Sequence, residues 1–257
     1  MKALLTTPAK YVYYALATDA TMMFGLAHLA TGDSQLCDWY ARTIHHASSR
    51  LGAYLIIDNG LMERGEAMSF GDMRFAAAKV AADEVILPDV YKDAEATRDC
   101  VQDALTRIEH DGEVPFNCMA VIHEQIADDL ARTLEEWAKH SAITAVGVPK
   151  YYTSALRWPQ GRISVLKVIK RLGLHTRFKV HLLGVQDDIL EVQTIARGFP
   201  WVRSVDTSWP IMAGLKGIDI TQFPTHKIDY EPDPKGTPNT AMVLRNIQTY
   251  QYLVSGE

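Results

Sequence analysis

Cysteine is scarce in this chain. Cys37, Cys100 and Cys118 are the three in 257 residues, and no two stand at CxxC spacing. Such usage points to a reducing compartment and away from both a disulfide framework and a cysteine-rich zinc site. No apolar run approaches the about 18 residues that a membrane-spanning helix needs. The first residues, MKALLTTPAKYVYY, are too short and too weakly apolar a stretch to read as a secretory leader. The expectation is a cytoplasmic protein with no membrane partner. Neither GxGxxG nor a GxxxxGKS/T loop follows the first apolar run, so the common nucleotide folds lack their phosphate cradle. HExxH is missing too, and no HxH ends the first strand, which leaves a metal-dependent barrel hydrolase without its usual signatures.

Acidic residues are absent from one long segment. Between Trp137 and Gln186 there is no Asp or Glu, yet nine basic residues occur: Lys139, Lys150, Arg157, Arg162, Lys167, Lys170, Arg171, Arg177 and Lys179. Taking those nine charges from the net −5 leaves −14 for the rest of the chain. A segregated positive face on an acidic protein suits a polyanionic ligand; ordinary solvated helix faces are the bland alternative. On this ground Lys150, Arg157, Arg162, Lys167, Lys170 and Arg171 are expected to meet a nucleic-acid backbone.

What is present is a regular alternation. Short runs rich in Val, Ile, Leu and Met predict strands at 22–28, 53–58, 84–88, 117–122, 143–148, 180–185 and 202–206. Amphipathic patterns between them predict helices near 34–48, 70–82, 93–110, 125–140, 159–172 and 187–197, with a final helix over 239–254 after an irregular excursion. Serial βα units with strands buried on both faces mean a parallel sheet. Seven or eight of them favour a single-domain (β/α)8 barrel spanning 1–257, of the α/β class. Residues 2–7 or the segment near Ile218–Ile220 supply the eighth strand.

In such a barrel the chemistry sits at the C-terminal ends of the strands. Read in order, those ends carry His28, Asp58, Asp89, His123 with Glu124, Gly147, Gly184 and Asp206. A lone Asp there is more often a turn former or helix cap. Three together, with two glycines that would let a flat ligand approach the backbone, favour a site. Trp158 and Trp201 read as packing residues, and Trp209, three positions after Asp206, is the candidate for stacking on a base.

The blocks LIIDNGLMERGEAMSF…AADEVILPDVYKDAEAT and HLLGVQDDILEVQTIARGFPWVRSVDTSWP resemble the queuine tRNA-ribosyltransferase family. They look most like its short phage and bacterial branch, the DNA-directed 7-deazaguanine transglycosylases, over about residues 24 to 210. The resemblance implies exchange of guanine in a nucleic acid for a free 7-deazaguanine base such as preQ0, with no cofactor or metal. Asp206 would be the nucleophile that traps the sugar C1′, and Asp58 the residue that manages protons on the departing and arriving bases. That is the retaining two-carboxylate logic of glycoside hydrolysis. Asp89 would accept hydrogen bonds from the guanine N1–H and 2-amino group. Gly147, Val148 and Gly184 would line the purine pocket. His123 or Glu124, where the family often has a Gln-Gly pair, would contact the base. For a phage-encoded member the setting is the host cytoplasm.

The chain departs from the tRNA-acting members. They carry a CxC…C…H zinc site late in the chain, whereas no cysteine follows Cys118 here, and there is no room for a zinc subdomain. Both features favour DNA over tRNA as the partner. A metal-dependent hydrolase and a non-catalytic barrel that binds nucleobase or nucleic acid remain the other readings. The binder has use for Asp89 and the basic face but none for both Asp58 and Asp206.

Overall fold

The apolar runs form eight parallel strands: β1 (Lys2–Leu5), β2 (Met22–Leu26), β3 (Tyr54–Asp58), β4 (Glu84–Ile86), β5 (Asn117–Val121), β6 (Ile143–Pro149), β7 (Lys179–Leu183) and β8 (Val202–Thr207). The structure is a computed structural model describing residues 1–16, 21–112, 114–154, 160–185, 189–222, 228, 230–231 and 234–255. The helices among them are α1 (Tyr13–Leu16), α2 (Ala27–Thr31), α3 (Gln35–Leu51), α4 (Leu61–Arg64), α5 (Phe70–Val80), α6 (Ala94–Asp111), α7 (Ala127–Trp137), α8 (Arg162–Arg171), α9 (Ile189–Gly198), α10 (Trp209–Leu215) and α11 (Thr240–Ser255).

The ladder runs β1-β8-β7-β6-β5-β4-β3-β2. β1 and β2 lie side by side and close the ring without a ladder of their own, with Leu4 of β1 sharing the interior with Met22, Phe24 and Leu26 of β2. The result is a nearly closed (β/α)8 barrel. Of the two expected positions for the eighth strand, the N-terminal one is used; Ile218–Ile220 lies outside the sheet.

Because side chains alternate across a strand, each strand feeds two cores. Leu4, Phe24, Ile56, Ile86, Met119, Val121 and Ala145 fill the inside of the barrel. Leu55, Ile57, Val85, Ala120, Val146, Val148, Val180 and Leu182 face the helices. Local signals set the helix starts: Ser34, Ser69 and Asp93 each accept the N–H three residues on, capping α3, α5 and α6. α11 packs on α9, α10 and β1.

Two boundaries differ from expectation in ways that matter for the site. β2 stops at Leu26, and His28 belongs to the first turn of α2 rather than to a strand end. α4 and α10 are single-turn or two-turn helices, too short to show a 3.6-residue period in the sequence.

Candidate active site

The two-residue period that sends Ile56 inward sends Asp58 inward at the end of β3, and β8 delivers Asp206 by the same rule. Register places Asp58 level with Leu26 and Asp206 level with Leu4. The two carboxylates therefore project into one mouth, separated around the rim by β1 and β2. Asp89 follows β4 and His123 follows β5, so four of the expected strand-end residues converge on the C-terminal end of the barrel.

Each carboxylate is held differently. Asp58 is half-buried and accepts the Gly60 N–H at 3.0 Å. Burial raises its pKa well above the ordinary carboxyl value; the charge of Glu63 adds to this, the Gly60 hydrogen bond opposes it, and the charges of Asp206 and Asp89 raise it further. Asp206 is 8% exposed and is met by three donors: Gly184 N at 2.8 Å, His181 Nε2 at 3.2 Å and Thr6 Oγ1 at 3.3 Å. Gly184 reaches it with φ of +67°, a left-handed backbone that favours glycine. Its role is to aim an N–H at Asp206.

Asp89 is clamped from both sides. Asn59 Nδ2 donates to one oxygen at 2.6 Å and also to Leu87 O at 2.9 Å. His123 Nε2 lies 2.6 Å from the other oxygen. Lys92 N donates to His123 Nδ1 at 3.3 Å, and a backbone N–H can only donate, so the ring proton sits on Nε2 and points at Asp89. Tyr151 stacks parallel to His123 with ring centres 5.6 Å apart, its hydroxyl 3.2 Å from Nδ1. A carboxylate offers about four acceptor positions; this clamp leaves about two of them for a ligand.

Several expected contacts are reassigned. His123 has both ring nitrogens occupied and acts on Asp89 rather than facing a base. Glu124 is buried, with its carboxylate on Arg98 Nη1 at 3.3 Å and the His123 N–H at 3.1 Å, so it braces the β5 loop against α6. A Cβ on Gly147 would stand 2.7 Å from Leu183 Cδ1 and 3.2 Å from Met119 Sδ. The missing side chain there makes room for barrel packing. Val148 faces the helix layer. Trp209 is fully buried against Tyr250 and presents no ring to a base. Trp201 packs on Phe199 and His175; Trp158 lies outside the described residues.

The basic segment does not form one face at the mouth. Arg162 is 1% exposed, ion-paired with Glu191 and bonded to Leu183 O at 3.3 Å, so it offers no charge to a phosphate. Lys139 pairs with Glu136, and Arg177 donates to the carbonyls of Ala138 and His140. Lys167, Lys170 and Arg171 are exposed, but α8 returns from the end of β6 to the start of β7 and carries them away from the carboxylates. Lys150 opens the turn after β6 and stands at the mouth beside Gly184. Arg157 lies outside the described residues.

Four participants were not singled out from the sequence. Asn59 stands beside Gly60 in a sequence that reads as a plain turn. His181 lies early in β7 rather than at its end, yet it has the inward parity of Leu183. Thr6 extends β1 by one ladder bond to Thr207 O. Glu63 stands exposed on α4 at the rim; partial desolvation and the charge of Asp206 raise its pKa, against an opposing backbone hydrogen bond. Beside Asp89 a groove of about 750 Å³ opens between Gly65–Phe70, Pro88–Tyr91 and the Asp99–Arg107 side of α6. It reaches neither Asp58 nor Asp206.

Among the described residues no group of three His, Cys, Asp or Glu side chains is placed to hold a metal ion, and no helix is long and apolar enough to cross a membrane. No family model matches the chain, and no curated protein matches it.

Proposed function

We propose that the chain is a guanine transglycosylase that exchanges guanine in DNA for a 7-deazaguanine base through a covalent aspartyl–sugar intermediate. One observation carries this reading: two carboxyl groups share a mouth in contrasting environments. Asp58 is pushed toward its protonated form by burial and neighbouring acids, while Asp206 is oriented by three convergent donors. Paired carboxyls with different surroundings are what a proton carrier and a nucleophile require. Asp206 attacks C1′ as the guanine N9 bond breaks, and Asp58 supplies the proton for the departing base. The incoming base gives a proton back to Asp58 as it displaces Asp206, and Asp89 accepts N–H donors on the base edge. The resemblance in the IDNG and SVDTSWP blocks supports the same assignment.

The test is to incubate the protein with a labelled guanine-type base and, separately, DNA or tRNA, and ask which polymer acquires label. Label in DNA alone is expected; label in tRNA alone moves the reading to the tRNA-acting branch, and label in neither removes it. A base in a barrel mouth must leave the helical stack, at a cost of a few kcal/mol. Single-stranded or mismatched guanine is therefore expected to exchange faster than paired guanine.

A further inference from the structure

His181 is wholly buried, and it is the pivot of a hydrogen-bond chain running through the barrel interior. At the far end Arg203 Nη1 and Nη2 each lie 2.7 Å from a Glu84 oxygen. Arg203 Nε donates to Ser204 Oγ at 3.2 Å, Ser204 Oγ lies 2.8 Å from His181 Nδ1, and His181 Nε2 lies 3.2 Å from Asp206 Oδ1. A guanidinium has donors only, so its N–H fixes the Ser204 hydroxyl oxygen as acceptor. The hydroxyl proton is then directed at His181 Nδ1. Asp206, as a carboxylate, only accepts, so a neutral His181 carries its ring proton on Nε2, pointed at Asp206, and its bare Nδ1 takes the Ser204 hydroxyl proton. A proton on Nδ1 would leave the buried Ser204 hydroxyl without this acceptor. Phe24 holds the ring in place from across the interior, stacked at 5.6 Å and 14°.

We infer that His181 is a positioning residue for Asp206, with its tautomer set between the Asp206 carboxylate and the Ser204 hydroxyl that Arg203 holds from the opposite end of the barrel. It touches no substrate; together with Gly184 N–H it keeps one Asp206 oxygen bonded, and so aims the other, which among the described residues meets only the Thr6 hydroxyl at 3.3 Å, for attack. This rests on the assignment of Asp206 as nucleophile, but its first test does not.

Long-range proton–nitrogen NMR of the folded full chain is expected to show His181 protonated at Nε2 and bare at Nδ1. Ser204→Ala removes the donor to Nδ1 and is expected to admit a second ring state with a proton on Nδ1. In exchange assays His181→Phe keeps the ring stack and removes the donor. It is expected to lower kcat about 10- to 100-fold, the size of one hydrogen bond to a charged group, with KM for the free base unchanged. His181→Gln can return an N–H to Asp206 and is expected to recover most of the loss. A proton found on Nδ1 in the unmodified chain overturns the inference whether or not exchange occurs. So does equal activity of the Phe and Gln variants, or a loss confined to KM. Should the chain exchange no base at all, the functional reading falls and the NMR result alone decides the tautomer.

Discussion

The two ends of the barrel both bury carboxylates, and they treat them in opposite ways. At the N-terminal end Glu84 is completely buried and receives a two-pronged ion pair from Arg203 and a 2.9 Å bond from Tyr54 OH. Burial alone would lower the Arg203 pKa, but Glu84 outweighs it and holds the guanidinium above its ordinary value. Asn117 Nδ2 lies 3.3 Å from the same Tyr54 hydroxyl. At the C-terminal end Asp58, Asp89 and Asp206 make no ion pair with a lysine or arginine among the described residues; amide, hydroxyl and imidazole donors hold them instead. A neutralised pair is a finished structural plug. A carboxylate such as Asp206, held by dipoles alone, keeps its field available, and a sugar that gains positive charge as its base leaves is what such a field stabilises.

The comparison breaks most sharply at Asp206. Asp206→Asn keeps the shape and the donors but removes the proposed nucleophile, so exchange is expected to fall below detection while the melting temperature changes little. Denaturing gels after incubation with substrate read this directly, since the protein–nucleic-acid adduct is expected to disappear with it. Asp58→Asn is expected to slow exchange on the order of 10²–10⁴-fold, the usual contribution of a general acid–base group.

Asp58 also carries a stability signature. Its folded pKa lies above the ordinary value of 3.8, so the folded chain binds its proton more tightly than the unfolded chain does. The stability it lends is complete below that value and is lost as pH rises through the raised one. Asp58→Asn cannot lose it, so in thermal melts the variant is expected to gain on the unmodified chain as pH climbs from about 4.

At the other end the expected loss is in folding. Arg203→Met leaves Glu84 buried without its cation and is expected to cost about 3–5 kcal/mol in denaturant unfolding. Adding Glu84→Leu is expected to return much of that. The smallest effect concerns salt. Each lost phosphate contact reduces the slope of log affinity against log salt by about 0.9 on duplex DNA. Lys150→Glu at the mouth is expected to produce about one such step. Reversing Lys167, Lys170 and Arg171, on the half of α8 that leads away from the carboxylates, is expected to leave the slope unchanged.

Much of this was legible along the chain because it depends on local periods. Runs such as YLIID are apolar on both faces and end in a carboxylate, which identifies parallel strands and the end that carries chemistry. The helices followed from caps and 3.6-residue patterns, with Ser69 and Asp93 acting as those signals suggest. The short α4 and α10 gave no period to find. Charge reading went astray at Arg162 because a count of basic residues does not know that Glu191, 29 positions later, lies against it.

The sequence by itself determined the eight-strand alternation, the barrel class and the placement of Asp58, Asp89 and Asp206 at strand ends, since strand parity and turn chemistry act over a few residues. Only the tertiary structure decided what each polar group does. Asn59 and His123 reach Asp89 from neighbouring strands, and His181 is reached from Arg203 through Ser204. Leu183 and Met119 fill the space beside Gly147. A hydrogen bond or a desolvated charge depends on which side chains the closed barrel brings within about 3 Å, and partners such as Thr6 and Asp206, 200 residues apart, leave no local pattern in the chain.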